Sequence, residues 1–168
     1  MKNSIVLIGF MGSGKTTFGK ILSERHHYQF MDTDDLIMKK ENMPITEIFK
    51  TKGEDYFRQL ETDVLKELTH KNDKMILSTG GGMILKQENV ALMKSIGTVV
   101  YLKASPHTLA NRLKNDTTRP LLKGKNKFLF IKDLLAKRKD YYEKGADVII
   151  KTDEKNIQDI LKEIEGYL

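Results

Sequence analysis

The sequence has no cysteine and no long apolar run, and these absences exclude several classes of protein. It has no cysteine, so disulfide bonds and thiol chemistry are excluded. It has no run of about 18 or more apolar residues, so we expect no transmembrane helix and no membrane partner. The apolar run near the N-terminus, residues 5–8, is too short for a signal peptide. These absences predict a cytoplasmic protein.

The balance of charge fits an anionic ligand. Lys and Arg number 29 against 23 Asp and Glu, a net charge of +6, which a lysine-rich solvated surface also explains. Few aromatic residues accompany the basic ones, which argues against nucleic acid as a partner. Five of the basic residues are arginines, and a planar guanidinium suits two-pronged binding of an anion. They are Arg25, Arg58, Arg112, Arg119 and Arg138.

The order of apolar patterns predicts one α/β domain over residues 1–168. Short buried strands are predicted at residues 4–9, 28–31, 75–78, 98–102 and 147–150. Helical spacing is predicted at residues 15–25, 34–40, 44–50, 54–69, 86–94, 106–114, 128–144 and 156–167. The alternation indicates a mostly parallel sheet covered by helices on both faces. Ligands then bind at the carboxyl ends of the strands.

A phosphate-binding motif follows the first strand. Residues 9–16, G-F-M-G-S-G-K-T, match G-x-x-x-x-G-K-[ST] and open a helix. The glycines let backbone N–H groups point at phosphate oxygens, and the helix adds its positive end. Lys15 can reach the β and γ phosphates, and the Thr16 hydroxyl can hold Mg²⁺. The alternatives are a glycine-rich turn without a ligand, or a GTPase or ATPase.

Two carboxylates follow the second strand. Asp32 and Asp34 are two residues apart, so on an extended chain they face the same way, towards phosphate and magnesium. One could orient magnesium-bound water while the other accepts a proton from an attacking hydroxyl. The alternative is helix N-capping by Asp34, with Asp35 favourable to the helix dipole. Beside a phosphate loop, we favour the functional interpretation.

Two further motifs fit substrate binding. Arg58 and Glu61 lie three apart on a predicted helix, which brings them together. Glu61 could hold Arg58 in position to bind an anion, or the two could be an ordinary surface pair. The three glycines at residues 80–82 are costly in conformational entropy and suit a ligand that approaches the backbone, although a plain turn is the alternative.

A polar, basic segment at residues 115–127 predicts a mobile lid. Arg119 within it could close over ATP and stabilise the transferring phosphoryl group. Arg138 lies four residues before Tyr142 on the next helix, and Arg112 could stack on adenine. Each of these three arginines could equally be a solvated surface charge.

Taken together, these motifs resemble those of the shikimate kinases almost from end to end. The matched patterns are D-x-D at residues 32–34, G-E-x-x-F-R-x-x-E at 53–61, the triple glycine at 80–82, R-P-L-L at 119–122 and R-x-x-x-Y at 138–142. The resemblance implies a three-layer P-loop fold with a five-stranded parallel sheet. It also implies a helical substrate-binding region at about 33–61, a lid at about 115–127, and ATP-dependent phosphorylation of shikimate.

The resemblance implies a role for each matched residue. The ATP phosphates would be cradled by Gly12, Ser13, Gly14, Lys15, Thr16 and Thr17. Asp32 would act on Mg²⁺ through water, and Asp34 would hold the shikimate hydroxyl and serve as base. The shikimate carboxylate would be clamped by Arg58 and Arg138, with Gly80, Gly81 and Gly82 near a hydroxyl. Arg119 would reach the ATP phosphates, and Arg112 and Lys155 would contact the nucleotide.

Two departures from the family pattern alter local geometry. The family usually has a glycine shortly before the short helix that begins near Pro44, where this chain reads Glu41-Asn42-Met43. It often has a proline where this chain has Asp140. Neither change removes a predicted ligand-binding group.

Three other functions stay open on the residues alone. They are a P-loop kinase of another small carboxylate such as gluconate, a nucleotide kinase, and a nucleic-acid-binding P-loop module. The paired arginines favour a carboxylate acceptor. We expect a monomer, and the resemblance implies ATP and shikimate as its small-molecule substrates.

Overall fold

A five-stranded parallel sheet forms the centre of the fold. The computed structural model describes residues 4–116 and 126–168. The strands are β1 (Ile5–Ile8), β2 (Gln29–Asp32), β3 (Met75–Ser78), β4 (Thr98–Lys103) and β5 (Val148–Lys151). Every neighbouring pair is parallel, and the order across the sheet is β2-β3-β1-β4-β5. The predicted five-stranded parallel sheet is confirmed.

The middle strand separates two apolar layers. All four residues of β1 are 1% exposed or less, as expected for a parallel strand covered on both faces. Val6 and Ile8 belong to one buried cluster, and Ile5 and Leu7 belong to the other. Alternate side chains of the strand thus face opposite layers, which gives the predicted three-layer arrangement.

Eight α-helices cover the sheet in the described ranges. They are α1 (Lys15–His26), α2 (Thr33–Glu41), α3 (Ile45–Lys52), α4 (Glu54–Thr69), α5 (Gln87–Ile96), α6 (Pro106–Arg112), α7 (Lys127–Gly145) and α8 (Ile157–Glu165). Helices α1 and α8 contribute to the cluster around Ile5 and Leu7, and helices α2 to α7 to the cluster around Val6 and Ile8. None of these helices is long and apolar enough to cross a bilayer.

The strand order places a crevice beside β1. The chain leaves β1 towards β2 on one side, and leaves β3 towards β4 on the other. Connections that diverge from adjacent strands open a crevice at their carboxyl ends, where open α/β sheets bind ligands. The segments that follow β1 and β3 therefore meet at one place.

The predicted elements match the observed ones, with boundaries that differ by a few residues. The 3₁₀ turn Met83–Leu85 was not predicted, because three residues are too few to show a periodic spacing of apolar side chains. Pro44 is the N-cap of α3 and not its first helical residue. The predicted lid falls mainly on residues 117–125, outside the described residues.

The two departures from the family pattern are accommodated locally. Asn42 ends α2 with φ 52° and ψ 35°, a left-handed conformation that asparagine adopts more readily than most residues. Asp140 lies exposed within the continuous helix α7. Asn42 therefore ends α2 in a conformation that is also open to glycine.

Candidate active site

The phosphate loop, residues 9–17, joins β1 to α1. Gly12 has φ 79° and Gly14 has φ 97°, a region that favours glycine. Gly14 caps α1 without a side-chain hydrogen bond, and the first turn has no acidic residue. The first N–H groups of α1 are therefore left for an anion, and the helix dipole favours negative charge there.

The predicted phosphate ligands lie together at the mouth of this loop. The Lys15 ammonium donates to the carbonyls of Gly9 (2.8 Å) and Phe10 (3.1 Å), so it arches back over the loop. A cleft of about 430 Å³ is lined by five of the six predicted residues. These are Gly12, Gly14, Lys15, Thr16 and Thr17. Ser13 is fully buried, and its Oγ has no hydrogen-bond partner among the described residues.

The structure corrects the predicted conformation of the two carboxylates. Asp34 lies in the first turn of α2 and not on an extended chain, and the N-cap is Asp32. Asp32 Oδ1 accepts from the Asp34 backbone N–H at 3.0 Å, and its Oδ2 accepts from Thr16 Oγ1 at 3.1 Å. Both carboxylates nevertheless line the same cleft as the phosphate loop.

The oxygens of Thr16 and Asp32 suit a magnesium ion. Mg²⁺ prefers hard oxygen ligands, and it commonly takes one or two from protein and the rest from phosphates and water. Among the described residues, no group of three or more His, Cys, Asp or Glu side chains could hold a metal by itself. The residues present therefore fit an ion bound jointly with phosphate.

Sequence reasoning missed Ser78 at this place. Its side chain is 1% exposed, and its Oγ lies 3.4 Å from Thr16 Oγ1. The sequence does indicate this residue, since Ser78 is a polar residue at the carboxyl end of the apolar strand β3, where ligands bind. Ile157, which also lines the cleft, gave no signal because it reads as an ordinary apolar helix residue.

The triple glycine brings Arg58 close to Asp34. A Cβ atom on Gly80 would lie 3.1 Å from both Asp34 Oδ1 and Glu61 Oε1. A Cβ atom on Gly82 would lie 2.6 Å from Arg58 Nη1. The glycines thus allow charged side chains to approach the backbone more closely than other residues would.

Arg138 reaches the same turn from helix α7. A Cβ atom on Gly81 would lie 3.6 Å from Arg138 Nη1 and 3.5 Å from the Tyr142 hydroxyl. That hydroxyl donates to the Gly81 carbonyl at 2.6 Å. Arg138 therefore lies beside the same three glycines as Arg58. We call Asp34, Arg58, Glu61, Arg138 and residues 80–82 together the arginine pocket.

Glu61 is a buried partner of Arg58. Its Oε2 accepts from Arg58 Nη1 at 2.8 Å, and its side chain is 1% exposed. The pKa of Glu61 is raised to about 7, mainly by burial and also by the Asp34 charge, while the positive charges of Arg58 and Arg138 oppose this rise. Arg58 Nη2 also donates to Glu54 Oε1 at 3.4 Å. The pair is thus not an ordinary surface ion pair.

Three predicted nucleotide-binding residues have different outcomes. Arg112 Nη1 donates to the Gly12 carbonyl at 3.3 Å and to Thr152 Oγ1 at 3.4 Å, and Arg112 lines the cleft. Lys155 forms an ion pair with Glu163 and does not line the cleft. Arg119 lies outside the described residues. Arg112 alone of the three therefore lies at the phosphate loop in the described structure.

Comparisons with known proteins identify the same group of enzymes. A family model described as shikimate kinase matches residues 11–167. A shikimate kinase from a Sulfurihydrogenibium species is 46% identical over 164 residues, with 98% of this chain and 96% of that protein covered. The solved structure of an Acinetobacter baumannii shikimate kinase in complex with shikimate has a TM-score of 0.88 and 37% identity, covering 97% of this chain and 90% of that chain.

A more distant neighbour shares the fold at low sequence identity. A gluconokinase from Sinorhizobium meliloti has a TM-score of 0.54 at 18% identity, covering 96% of this chain and 89% of that chain. Likeness at this level extends to the fold alone.

Proposed function

Since this chain belongs to the shikimate kinase family, we propose that its cleft transfers the γ-phosphoryl group of ATP to a hydroxyl group of shikimate. One observation carries the proposal. Arg58, Arg138 and Asp34 meet around three consecutive glycines, next to the phosphate loop. An acid whose carboxylate is held by the two guanidinium groups can present a hydroxyl to Asp34.

We assign the nucleotide side to the phosphate loop. Its backbone N–H groups and the start of α1 suit the ATP phosphates, and Lys15 can swing from the loop carbonyls to the transferred group. Arg112, which already touches the loop, is assigned to the nucleotide as well. For Lys155, the ion pair with Glu163 must open before it can bind, so that role stays a prediction.

Magnesium is assigned to Thr16 and Asp32. When bound, the ion neutralises charge on the β and γ phosphates. Thr16 Oγ1 and Asp32 Oδ2 are 3.1 Å apart, so the hydroxyl and the carboxylate are already side by side. Because Asp32 also caps α2, its orientation is fixed by the same helix that carries Asp34. Asp32 is thereby held ready to accept hydrogen bonds from magnesium-bound water.

Asp34 is assigned as the base. Its Oδ1 lies against Gly80, at the junction of the cleft and the arginine pocket. There it can accept the proton of the attacking hydroxyl as the new P–O bond forms. Asp34 also orients the hydroxyl in line with the leaving ADP oxygen.

The remaining task is to hold two anions together. A charge pair at about 4 Å, with an effective dielectric constant near 20, is worth roughly 4 kcal/mol. Lys15 faces the nucleotide, and Arg58 and Arg138 face the acid, so repulsion between the substrates is offset on both sides. Arg119 is proposed to add a further positive charge from the lid. The enzyme supplies positioning and charge neutralisation, as phosphoryl transfer requires.

The acceptor is tested by comparing substrates in a coupled ADP-release assay with magnesium and ATP. We expect shikimate to drive ADP formation at least about a hundredfold faster than gluconate or nucleoside monophosphates, since a hydroxyl acid of the wrong shape misplaces its hydroxyl. Equal rates with gluconate would overturn the assignment. Light scattering on the same sample tests the proposed monomer, and fractionation of cells tests the proposed cytoplasmic location.

A further inference from the structure

A second cavity lies away from the cleft. It has a volume of about 510 Å³ and opens between the β4–α6 connection, helix α7 and the end of β5. This volume lies in the range of about 300–1,000 Å³ typical of small-molecule sites. No residue lines both cavities. A ligand of this cavity therefore need not compete with ATP or shikimate.

Tyr101 belongs to the apolar part of the cavity wall and carries a hydroxyl group. Tyr101 is 2% exposed, and its ring stacks on Tyr142 at 4.9 Å between centroids. Within residues 4–116 and 126–168, the Tyr101 hydroxyl has no hydrogen-bond partner. In these ranges Ser13 Oγ is the one fully enclosed side-chain nitrogen or oxygen without a partner, so the Tyr101 hydroxyl keeps some exposed area, and Tyr101 lines this cavity. An occupant with a hydrogen-bond acceptor can therefore bond to this hydroxyl in place of water.

Positive charge surrounds the opening. Four lysines line the cavity, namely Lys103, Lys132, Lys139 and Lys151. Lys103 is paired with Glu143 at 2.7 Å, whereas the other three form no salt bridge within the described ranges.

The acidic residue among the lining side chains is already engaged. Asp153 accepts from the Ser105 backbone N–H at 2.9 Å and from Thr108 Oγ1 at 2.6 Å. It is therefore held towards α6 by these bonds. The unpaired charge at the opening is thus positive.

We propose that this cavity binds a small organic anion with a flat apolar body, of the aromatic carboxylate class. The apolar body covers the wall formed by Tyr101, Pro106 and Leu135. The carboxylate faces the lysines, and one of its oxygens can accept a hydrogen bond from the Tyr101 hydroxyl. An inorganic anion leaves the apolar wall bare, and a neutral ring leaves the lysines without a counterion.

The test is calorimetric titration with 2-naphthoate while the cleft is saturated with shikimate and a magnesium-bound, non-hydrolysable ATP analogue. We expect binding to persist, and to be at least about tenfold tighter than that of 2-naphthamide or acetate. The saturated cleft is essential because Arg58 and Arg138 could also bind a carboxylate. If shikimate and the analogue abolish 2-naphthoate binding, the proposal is overturned.

Two matched variants locate the site on α7. The double substitution Lys132→Gln with Lys139→Gln is expected to weaken 2-naphthoate binding about fivefold, as two partly solvated charges are lost. The control, Lys137→Gln with Lys144→Gln, removes the same charge from the same helix away from the cavity, and should change affinity less than about twofold. Equal weakening by both pairs would mean non-specific attraction and would overturn the proposal.

A filled cavity gives an independent readout. Ala136 is an exposed residue of α7 that lines the cavity, so Ala136→Phe can fill it without disturbing the core. We expect this variant to bind 2-naphthoate at least about tenfold more weakly, with an unchanged circular dichroism spectrum. Unchanged affinity in the Ala136→Phe protein would place the anion elsewhere.

Discussion

The phosphate loop and the arginine pocket meet at one cleft, but different forces hold them. The loop occupies nine consecutive residues, and its shape comes from backbone conformation, with Gly12 and Gly14 at positive φ. The arginine pocket draws charged side chains from three helices, α2, α4 and α7, onto the turn after β3. The loop is thus set by local chain geometry, and the pocket by long-range packing and charge.

This difference predicts separable effects of substitution. Changes in the loop should act on the nucleotide and leave shikimate binding intact. Changes in the pocket should act on shikimate and on the pH dependence of stability, because Glu61 is a buried ionisable group. Four predictions test this separation, in order of expected size.

The largest effect is expected from Lys15→Met. Removing one preorganised donor that stabilises charge in the transition state lowers kcat by about 10²–10³-fold. Shikimate binding without nucleotide should change less than about twofold, because Lys15 contacts the loop carbonyls in that state. Steady-state kinetics and calorimetry measure the two quantities.

Lys20→Met is the matched control for Lys15→Met. Lys20 is exposed on the same helix, outside the cleft. A similar fall in kcat for both variants would show that general charge, and not the position of Lys15, matters. Weakened shikimate binding in the Lys15→Met protein would break the separation between loop and pocket.

The next effect is a pH dependence of stability carried by Glu61. Burial raises the pKa of Glu61 from 4.5 to about 7 in the folded protein, so the folded state holds the proton more tightly than the unfolded chain. The stabilisation is complete below pH 4.5 and is lost as the pH rises through 7. Between pH 5 and 7 the loss is about 2 kcal/mol. Urea denaturation at a series of pH values measures it.

Glu61→Gln isolates this contribution. The amide cannot ionise, so the difference in unfolding free energy between wild type and variant should change by about 2 kcal/mol from pH 5 to 7. All other residues are the same in both proteins, so their contributions cancel in the difference. A difference that does not vary with pH would mean that Glu61 is already ionised at pH 5 beside Arg58.

Arg58→Lys is expected to raise the KM for shikimate about tenfold, with a smaller change in kcat. Lysine keeps the charge but loses the planar fork that lets one guanidinium bind Glu61 and present parallel N–H groups to a substrate carboxylate. The KM for ATP should not change. Arg25→Lys, in a surface ion pair with Glu165, is the control and should leave both KM values unaltered. An unchanged shikimate KM for Arg58→Lys would mean that Arg58 does not bind the shikimate carboxylate.

The same contrast explains what could be predicted from the sequence. The phosphate loop could be predicted because its residues are consecutive, and the motif itself specifies the backbone conformation. The strands were readable because buried parallel strands are short apolar runs, such as residues 5–8. The spacing of Arg58 and Glu61 predicted their contact, but not that Glu61 is buried, because its burial depends on residues distant in sequence, such as Gly80 in the turn after β3.

The errors have a physical origin too. The spacing of Asp32 and Asp34 predicts an extended chain, but α2 begins at Thr33 because Asp32 caps it. A D-x-D pattern allows either aspartate to be the cap, and spacing alone does not decide between them. Ser78 was not predicted as a site residue because its place in the site depends on its contact with Thr16. The two residues are 62 positions apart in sequence, and the sheet brings them together.

The smallest effect concerns Asn42, in the turn that leads from α2 towards the helix carrying Arg58. At φ 52°, Asn42→Ala should destabilise the protein by about 1 kcal/mol, because a Cβ without a compensating polar group disfavours this conformation. Asn42→Gly should change stability by less than about 0.5 kcal/mol, since relief of strain is offset by the greater freedom of glycine in the unfolded chain. Urea denaturation separates the two variants.

Because Asn42 is exposed and outside the cleft, neither should alter the KM for shikimate. A raised KM in the alanine variant alone would show that the arginine pocket depends on this turn, and that its geometry is set partly by backbone conformation, as the phosphate loop is.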